Sequence, residues 1–303
     1  MKSDLLSTKV GNLELRNPTI LAAGVLGLTG STLRKVWNSG AGAVVTKSVG
    51  KKEKKGYTGP NVVGTPCGML NAMGLPNPGI ENELEETKTA KEAGATVIGS
   101  IFGETPEEFS DLADEIEEAG LDAVELNLSC PHAEEVSAIG HDPQLSKEVI
   151  EAVEETVDLP VWAKLPGNTH LSHFLEVADS AERGGADALV ITNTVPGMAI
   201  DAKAERPILG NEMGGLSGPA IKPIGLRLVY EAYEETDLPI VGVGGVMTGE
   251  DLIEYVLAGA SAVEIGTGIT WRDLNIFEKV PEEASEYLQG RKISELVGAA
   301  HVD

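Results

Sequence analysis

The sequence is short of cysteine, of basic residues and of long apolar runs, and each shortage excludes something. Two cysteines occur, Cys67 and Cys130. They are too few for a disulfide framework, and neither lies in a CxxC pair that would hold zinc or an iron–sulfur cluster. Any cluster must therefore come from another chain. Lysine and arginine together number 23 against 48 aspartates and glutamates, a formal charge of -25. Such a field repels phosphates at long range, which argues against a nucleic-acid or anionic-membrane surface. No apolar run approaches the roughly 20 residues that cross a bilayer. The start, MKSDLLSTKV, has neither a secretory signal pattern nor an Arg-rich transit pattern, so the expectation is a soluble, cytoplasmic protein. A GxGxxG helix start for a dinucleotide is also lacking.

The remaining composition is ordinary, with 42% hydrophobic and 23% charged residues over 303 positions. One α/β barrel spanning 1–303 is the economical reading of that length. The acids gather on helix-like stretches such as EEFSDLADEIEEAG, which reads as a solvated exterior. Adaptation to a salty cytoplasm is a further hypothesis.

One junction recurs along the chain: a helix ends on Gly and a β-branched strand begins. It is seen in SGAGAVVTKS, AGATVIGSIF, AGLDAVELNL, GGADALVITN and AGASAVEIGT, and VDLPVWAKLP and TDLPIVGVGG carry an Asp-Leu-Pro stop instead. With TILAAG these give eight strand candidates: residues 19 to 24, 43 to 49, 96 to 102, 123 to 129, 160 to 165, 188 to 194, 239 to 245 and 262 to 267. Segments such as SKEVIEAVEETV and SHFLEVADSAERGG between them carry helical apolar spacing. Short apolar strands alternating with amphipathic helices indicate a parallel sheet covered by helices, and eight units favour closure into a (β/α)8 TIM barrel over an open sheet. STKVGNLELRNP alternates like a hairpin and could plug the barrel floor. Two long connections, residues 50 to 80 and 195 to 219, follow strand C-terminal ends, where barrel active sites are built.

Those strand ends collect Ala23 and Gly24, Lys47 and Ser48, Ser100, Asn127 with Cys130, Lys164, Asn193 with Thr194, Gly244 with Gly245, and Gly266 with Thr267. Two lysines, two asparagines, a cysteine and two glycine turns suit a flat polar ligand with a phosphate tail. Glycines ending strands seven and eight can bring bare backbone N–H groups against that phosphate.

At AVELNLSCPH, NAMGLPNPG and GGLSGPAIKP the chain resembles class 1 dihydroorotate dehydrogenases. NPTILAAG, TKSVG, VWAKLPGN, ITNTVPGMAID, VGVGGV and IGTG extend the resemblance from about residue 17 to about residue 270. It implies a barrel that binds FMN and oxidises dihydroorotate to orotate in pyrimidine biosynthesis. That reaction removes a proton from C5 and a hydride equivalent from C6, so a base and the flavin N5 must flank the substrate. Class 1 enzymes use a cysteine as the base, which falls on Cys130; Pro131 fixes the turn that would present it. Orotate is planar and anionic, and Lys47, Asn71, Asn127 and Asn193 suit its carboxylate and imide edges. By resemblance Lys47 contacts both substrate and flavin, and the backbone of Asn71, Ala72, Met73, Gly74 and Leu75 closes over the carboxylate. Asn193 with Thr194 completes the pocket. Lys164 would lie near the flavin N1 and O2 edge, with Ile191 and Gly218 as further flavin contacts, chiefly by shape and backbone. Cys67 has no assigned role, and His132 reads as structural or surface. Ser100 stands where relatives often have Asn, and HAEEVSAIGHDP lacks the usual glycine pair of the active-site loop.

For reoxidation, ITNTVPGMAID and RPILGNEMGGLSGPAIKP look more like the B-type, in which a partner subunit carries FAD and a [2Fe-2S] cluster for NAD; a homodimer within a heterotetramer is implied. An A-type homodimer using fumarate stays open, as does a dihydropyrimidine dehydrogenase-like enzyme. From another class, a non-redox phosphate-binding lyase would use Lys164 as a Schiff-base nucleophile.

Overall fold

The computed structural model describes residues 2–129 and 139–301. Eight parallel strands close into a barrel: β1 (Thr19–Leu21), β2 (Ala43–Val45), β3 (Val97–Ile101), β4 (Ala123–Asn127), β5 (Val161–Leu165), β6 (Ala188–Ile191), β7 (Ile240–Val243) and β8 (Ala260–Ile265). Each pairs with its sequence neighbours, and β8 pairs with β1. After each strand comes one helix of the outer ring: α1 (Gly30–Asn38), α2 (Ile80–Lys91), α3 (Pro106–Glu118), α4 (Pro143–Glu154), α5 (Leu171–Arg183), α6 (Lys222–Tyr233), α7 (Gly249–Leu257) and α8 (Ile276–Leu288). This is the (β/α)8 architecture expected from the repeated junction.

The repeat has a local cause. At five of the junctions the helix is followed by a glycine in the left-handed region, Gly40, Gly94, Gly120, Gly185 and Gly259, with φ between 71° and 121°. A Cβ resists that conformation, so glycine ends the helix and turns the chain into the next strand. Helix starts are fixed as sharply. Thr105 caps α3 before Pro106, Asp142 caps α4 before Pro143, and Thr248 forms a capping box with Asp251 on α7. On α3 the apolar stripe Phe109, Leu112, Ala113 and Ile116 is buried, while Glu107, Asp111, Asp114 and Glu118 face solvent, as the acidic stretch suggested.

Strand side chains alternate between two cores. Leu21, Val44, Val97, Val124, Ala163, Leu189 and Val263 face the helices. Ile20, Val45, Ile98, Ala123, Trp162, Val190, Val241 and Ala262 fill the barrel interior, joined by Val10 and Leu15. The last two come from an antiparallel hairpin, Thr8–Val10 with Leu13–Leu15, so the N-terminal segment does plug the floor. Because the side-chain period is 2, Ser100, Glu125, Asn127, Lys164 and Glu264 must share the inward parity of Ile98, Ala123, Trp162 and Ala262. They form a polar layer above the apolar one.

Two expectations are refined. Several candidate strands were drawn too long at their C-terminal ends: β2 stops at Val45, for example, where the Lys47 amide leaves the ladder to donate to Gly27 O at 3.0 Å. The long connections also do not stay separate. Val62–Thr65 and Gly68–Asn71 from the first, with Val195–Met198 and Met213–Ser217 from the second, make one four-stranded antiparallel sheet. Among the described residues no helix is long and apolar enough to cross a membrane.

Candidate active site

At the C-terminal mouth of the barrel lies a cavity of about 420 Å³, within the range of small-molecule sites. The added sheet forms one wall. Its alternation decides what reaches the cavity: Met69, Asn71 and Ser217 line it, while Leu70 and Ala72 turn into a small apolar cluster with Leu209. Met73, Gly74 and Leu75 continue along the rim, held by the Tyr57 amide donating to Met73 O at 2.9 Å. The Asn71 side chain donates to Gly215 O at 3.2 Å.

From the strand ends, Ala23, Gly24, Lys47, Ser48, Asn127 and Lys164 line the same cavity. So do Asn193, Thr194, Gly218, Gly244, Gly245, Gly266 and Thr267. Three expected residues do not. Ala72 faces the cluster just described, because it has the parity of Leu70. Ile191 is fully buried with its side chain in the outer core against the helices. Ser100 is buried one layer down and meets the cavity only through Ser48. Cys130 and His132 lie outside the described residues. Cys67 is exposed, near the turn between the first two strands of the added sheet.

A chain of hydrogen bonds runs from the cavity wall into the barrel. Asn193 Nδ2 donates to Asn127 Oδ1 (3.2 Å), and Asn127 Nδ2 donates to Ser48 Oγ (3.1 Å). Ser48 Oγ is 2.9 Å from Ser100 Oγ, which donates to Glu125 Oε1 at 3.1 Å. Since a hydroxyl has one proton to give, Ser48 donates to Ser100. Asn193 Nδ2 also reaches the carbonyl and the hydroxyl of Ser129, at 3.3 and 3.2 Å. The residue before Cys130 is thereby tied to the cavity wall.

The charged floor was not anticipated beyond Lys164. Its ammonium donates to Glu264 Oε2 at 2.7 Å and lies 3.4 Å from both oxygens of Glu125. Burial alone would drive this lysine towards neutrality, but the two carboxylates outweigh it and hold the ammonium above its usual range. Glu125 and Glu264 had a legible signal: each is the single charge inside an apolar strand, AVELN and ASAVEI, where a charged side chain has no water to face.

On the opposite side, Gly245 has φ 73°, and a Cβ there would sit 2.9 Å from Gly218 O and 2.7 Å from Lys222 Cβ. Gly244 has φ 128°, and its carbonyl accepts from the buried Tyr255 hydroxyl at 2.8 Å. Bare backbone is thus brought to the cavity at the end of β7 and braced from behind. Thr267 Oγ donates to Ser217 Oγ at 2.6 Å, joining the end of β8 to the added sheet.

Fold and cavity together define a (β/α)8-barrel enzyme with its polar site at the mouth. The family model described as dihydroorotate dehydrogenase matches residues 5–288. The chain is 46% identical over 304 residues to a protein of Methanocaldococcus jannaschii, covering 98% of each. It is 45% identical to one of Thermoplasma acidophilum, covering 97% of this chain and 98% of that protein. With one of Pyrococcus abyssi it shares 46% identity, covering 98% of this chain and 99% of the other. All three carry the name dihydroorotate dehydrogenase B (NAD(+)), catalytic subunit. The chain belongs to the dihydroorotate dehydrogenase family.

Proposed function

We propose that this chain is the catalytic subunit of a B-type dihydroorotate dehydrogenase, binding FMN and oxidising dihydroorotate to orotate. The observation that carries the reading is the convergence of Lys47, Asn71, Asn127 and Asn193 on the same cavity as Lys164 and the glycine turns. The relatives' shared name supports the substrate and the electron acceptor.

The residues present fit the flavin. Gly218, Gly244 and Gly245 line the cavity at positive φ, where a Cβ would press on neighbouring protein atoms, so only glycine brings bare backbone there, which suits a phosphate approached by backbone N–H groups. Lys164, which lines the cavity and whose ammonium is held above its usual range, would supply positive charge to a bound flavin ring. When bound, FMN supplies the acceptor for the hydride equivalent leaving C6 of the substrate.

The chain's own part is to orient the substrate and take the C5 proton. Lys47, whose Nζ lies against Gly24, pairs with the anionic substrate. The amides of Asn71, Asn127 and Asn193 offer donors and acceptors to its carboxylate and imide edges. Two of them are pre-set by the hydrogen-bond chain, so little ordering remains on binding. Cys130 takes the C5 proton as base. Ser129, anchored by Asn193, fixes where the segment bearing that thiol departs from the cavity wall.

The lyase alternative fares poorly. A Schiff-base lysine needs a depressed pKa to be nucleophilic, whereas Lys164 is held protonated between two carboxylates.

The partner is a subunit carrying FAD and a [2Fe-2S] cluster, so NAD is reduced only when that subunit is present. The test is the anaerobic reduction of bound FMN by dihydroorotate in the wild type and in Cys130→Ser. A serine hydroxyl is a far weaker acid than a thiol, so the variant is expected to lose about 10²-fold or more in rate at neutral pH, with its dependence moved to higher pH. An unchanged rate and pH profile would remove Cys130 from the reaction.

A further inference from the structure

Glu125 on β4 and Glu264 on β8 meet around one cation inside the barrel. They are 0% and 1% exposed, and Lys164 is 5% exposed. The ammonium bonds Glu264 Oε2 and lies between the two carboxylates. The charged groups that face Glu264 are Glu125 and Lys164. Among the described residues Glu264 Oε1 has no hydrogen-bond partner, although the Glu264 side chain is in hydrogen-bonding contact with the Glu125 side chain. Two carboxylates in such contact repel each other unless a proton lies between them.

We propose that Glu125 and Glu264 share one buried proton, carried on Glu264 Oε1, so that the floor of the cavity is electrically neutral rather than singly negative. The orphaned oxygen then becomes a donor to Glu125, and every polar atom of the cluster has a partner. Glu125 is the better acceptor, because the Ser100 hydroxyl already supports Oε1, while Glu264 has no second donor. Burial first, then the Glu125 charge, drives the Glu264 carboxyl well above the usual carboxylate range, against the opposing pull of Lys164.

The consequence rests on the flavin reading of the cavity. Lys164 and Glu264 both line it, so a bound anionic group meets one ammonium and one negative charge distributed over two carboxylates. Loss of the shared proton adds a second negative charge next to that ligand. Glu264 is therefore a positioning residue, setting the field that Lys164 presents.

The test is isotope-edited infrared spectroscopy of the holoprotein across pH, with Glu264→Gln as the reference. In a Glu83→Gln background, which removes the other buried acid that keeps its proton at neutral pH, a protonated-carboxyl C=O band is expected with Glu264 in place and absent once Glu264→Gln is added. In parallel, FMN affinity of the wild type should weaken by about tenfold or more once the proton is lost at high pH, and Glu264→Gln should abolish that loss. Absence of the band at neutral pH in the Glu83→Gln protein that keeps Glu264 overturns the proposal, even if the Glu264→Gln variant fails to fold, and so does an alkaline loss of affinity that persists in that variant. A band present in a protein that takes up no FMN would uphold the shared proton and defeat the flavin reading instead.

Discussion

A second buried acid makes a sharp prediction about stability. Glu83, on the first turn of α2, is 1% exposed, and among the described residues neither of its carboxylate oxygens has a hydrogen-bond partner. Burial, and next the charge of Glu86, push its carboxyl up to about 8, with Lys47 pulling the other way. The unfolded chain gives up this proton near the ordinary glutamate value of 4.5, whereas the folded protein keeps it to about 8. Stability must therefore fall as pH rises through that window, because the folded state there binds the extra proton. Each pH unit crossed costs about 1.4 kcal/mol, so the full window sets a ceiling of ~5 kcal/mol. Partial hydration and relaxation bring the expected effect to about 2–4 kcal/mol. Glu83→Gln cannot ionise and fills nearly the same volume. Urea unfolding followed by circular dichroism should find the variant more stable than wild type by that amount at pH 9 and within about 1 kcal/mol at pH 5. Parallel stability profiles for the two proteins would refute the burial of a neutral acid at this position.

Two further outcomes follow from the same structure. Gly245→Ala forces a Cβ against Gly218 O at a positive φ, and should cost about 1–3 kcal/mol in thermal unfolding while weakening FMN retention; full retention would mean that the turn does not shape the cradle. The surplus of acids on the helix exteriors predicts that stability rises from low to molar KCl as self-repulsion is screened; a protein indifferent to salt would reject adaptation to a salty cytoplasm.

Much of the architecture was readable because its determinants are local. Helix-ending glycines and Asp-Leu-Pro stops mark seven strand starts, and each strand is a short apolar run whose fate hardly depends on distant residues. The hairpin at the floor was legible for the same reason: Val10, Leu13 and Leu15 alternate with polar neighbours. The four-stranded sheet over the mouth was not legible. Its strands are rich in glycine, as in Met213–Ser217, and its pairing joins Met69 to Ser217 across a long stretch of chain, so no local pattern announces it. Strand parity in that sheet turns the Ala72 side chain into the apolar cluster, so what Ala72 has to offer is its backbone, the part expected to close over the carboxylate. Strand parity also explains Glu125 and Glu264. A lone charge in an apolar strand could face either core, and closure of the barrel makes both faces dry. Ile191 has the outward parity of Leu189, so its side chain packs against the helices and any flavin contact falls to its backbone, as the resemblance implies.

The claim on which the account rests is that one cavity holds the flavin and dihydroorotate together. Its most direct measurement is anaerobic titration of the FMN-loaded protein, following the yellow flavin absorbance. Dihydroorotate should bleach the band stoichiometrically, and dihydrouracil, which lacks the carboxylate facing Lys47, should leave it unchanged. A protein that takes up no FMN, or one bleached equally by both compounds, would contradict it.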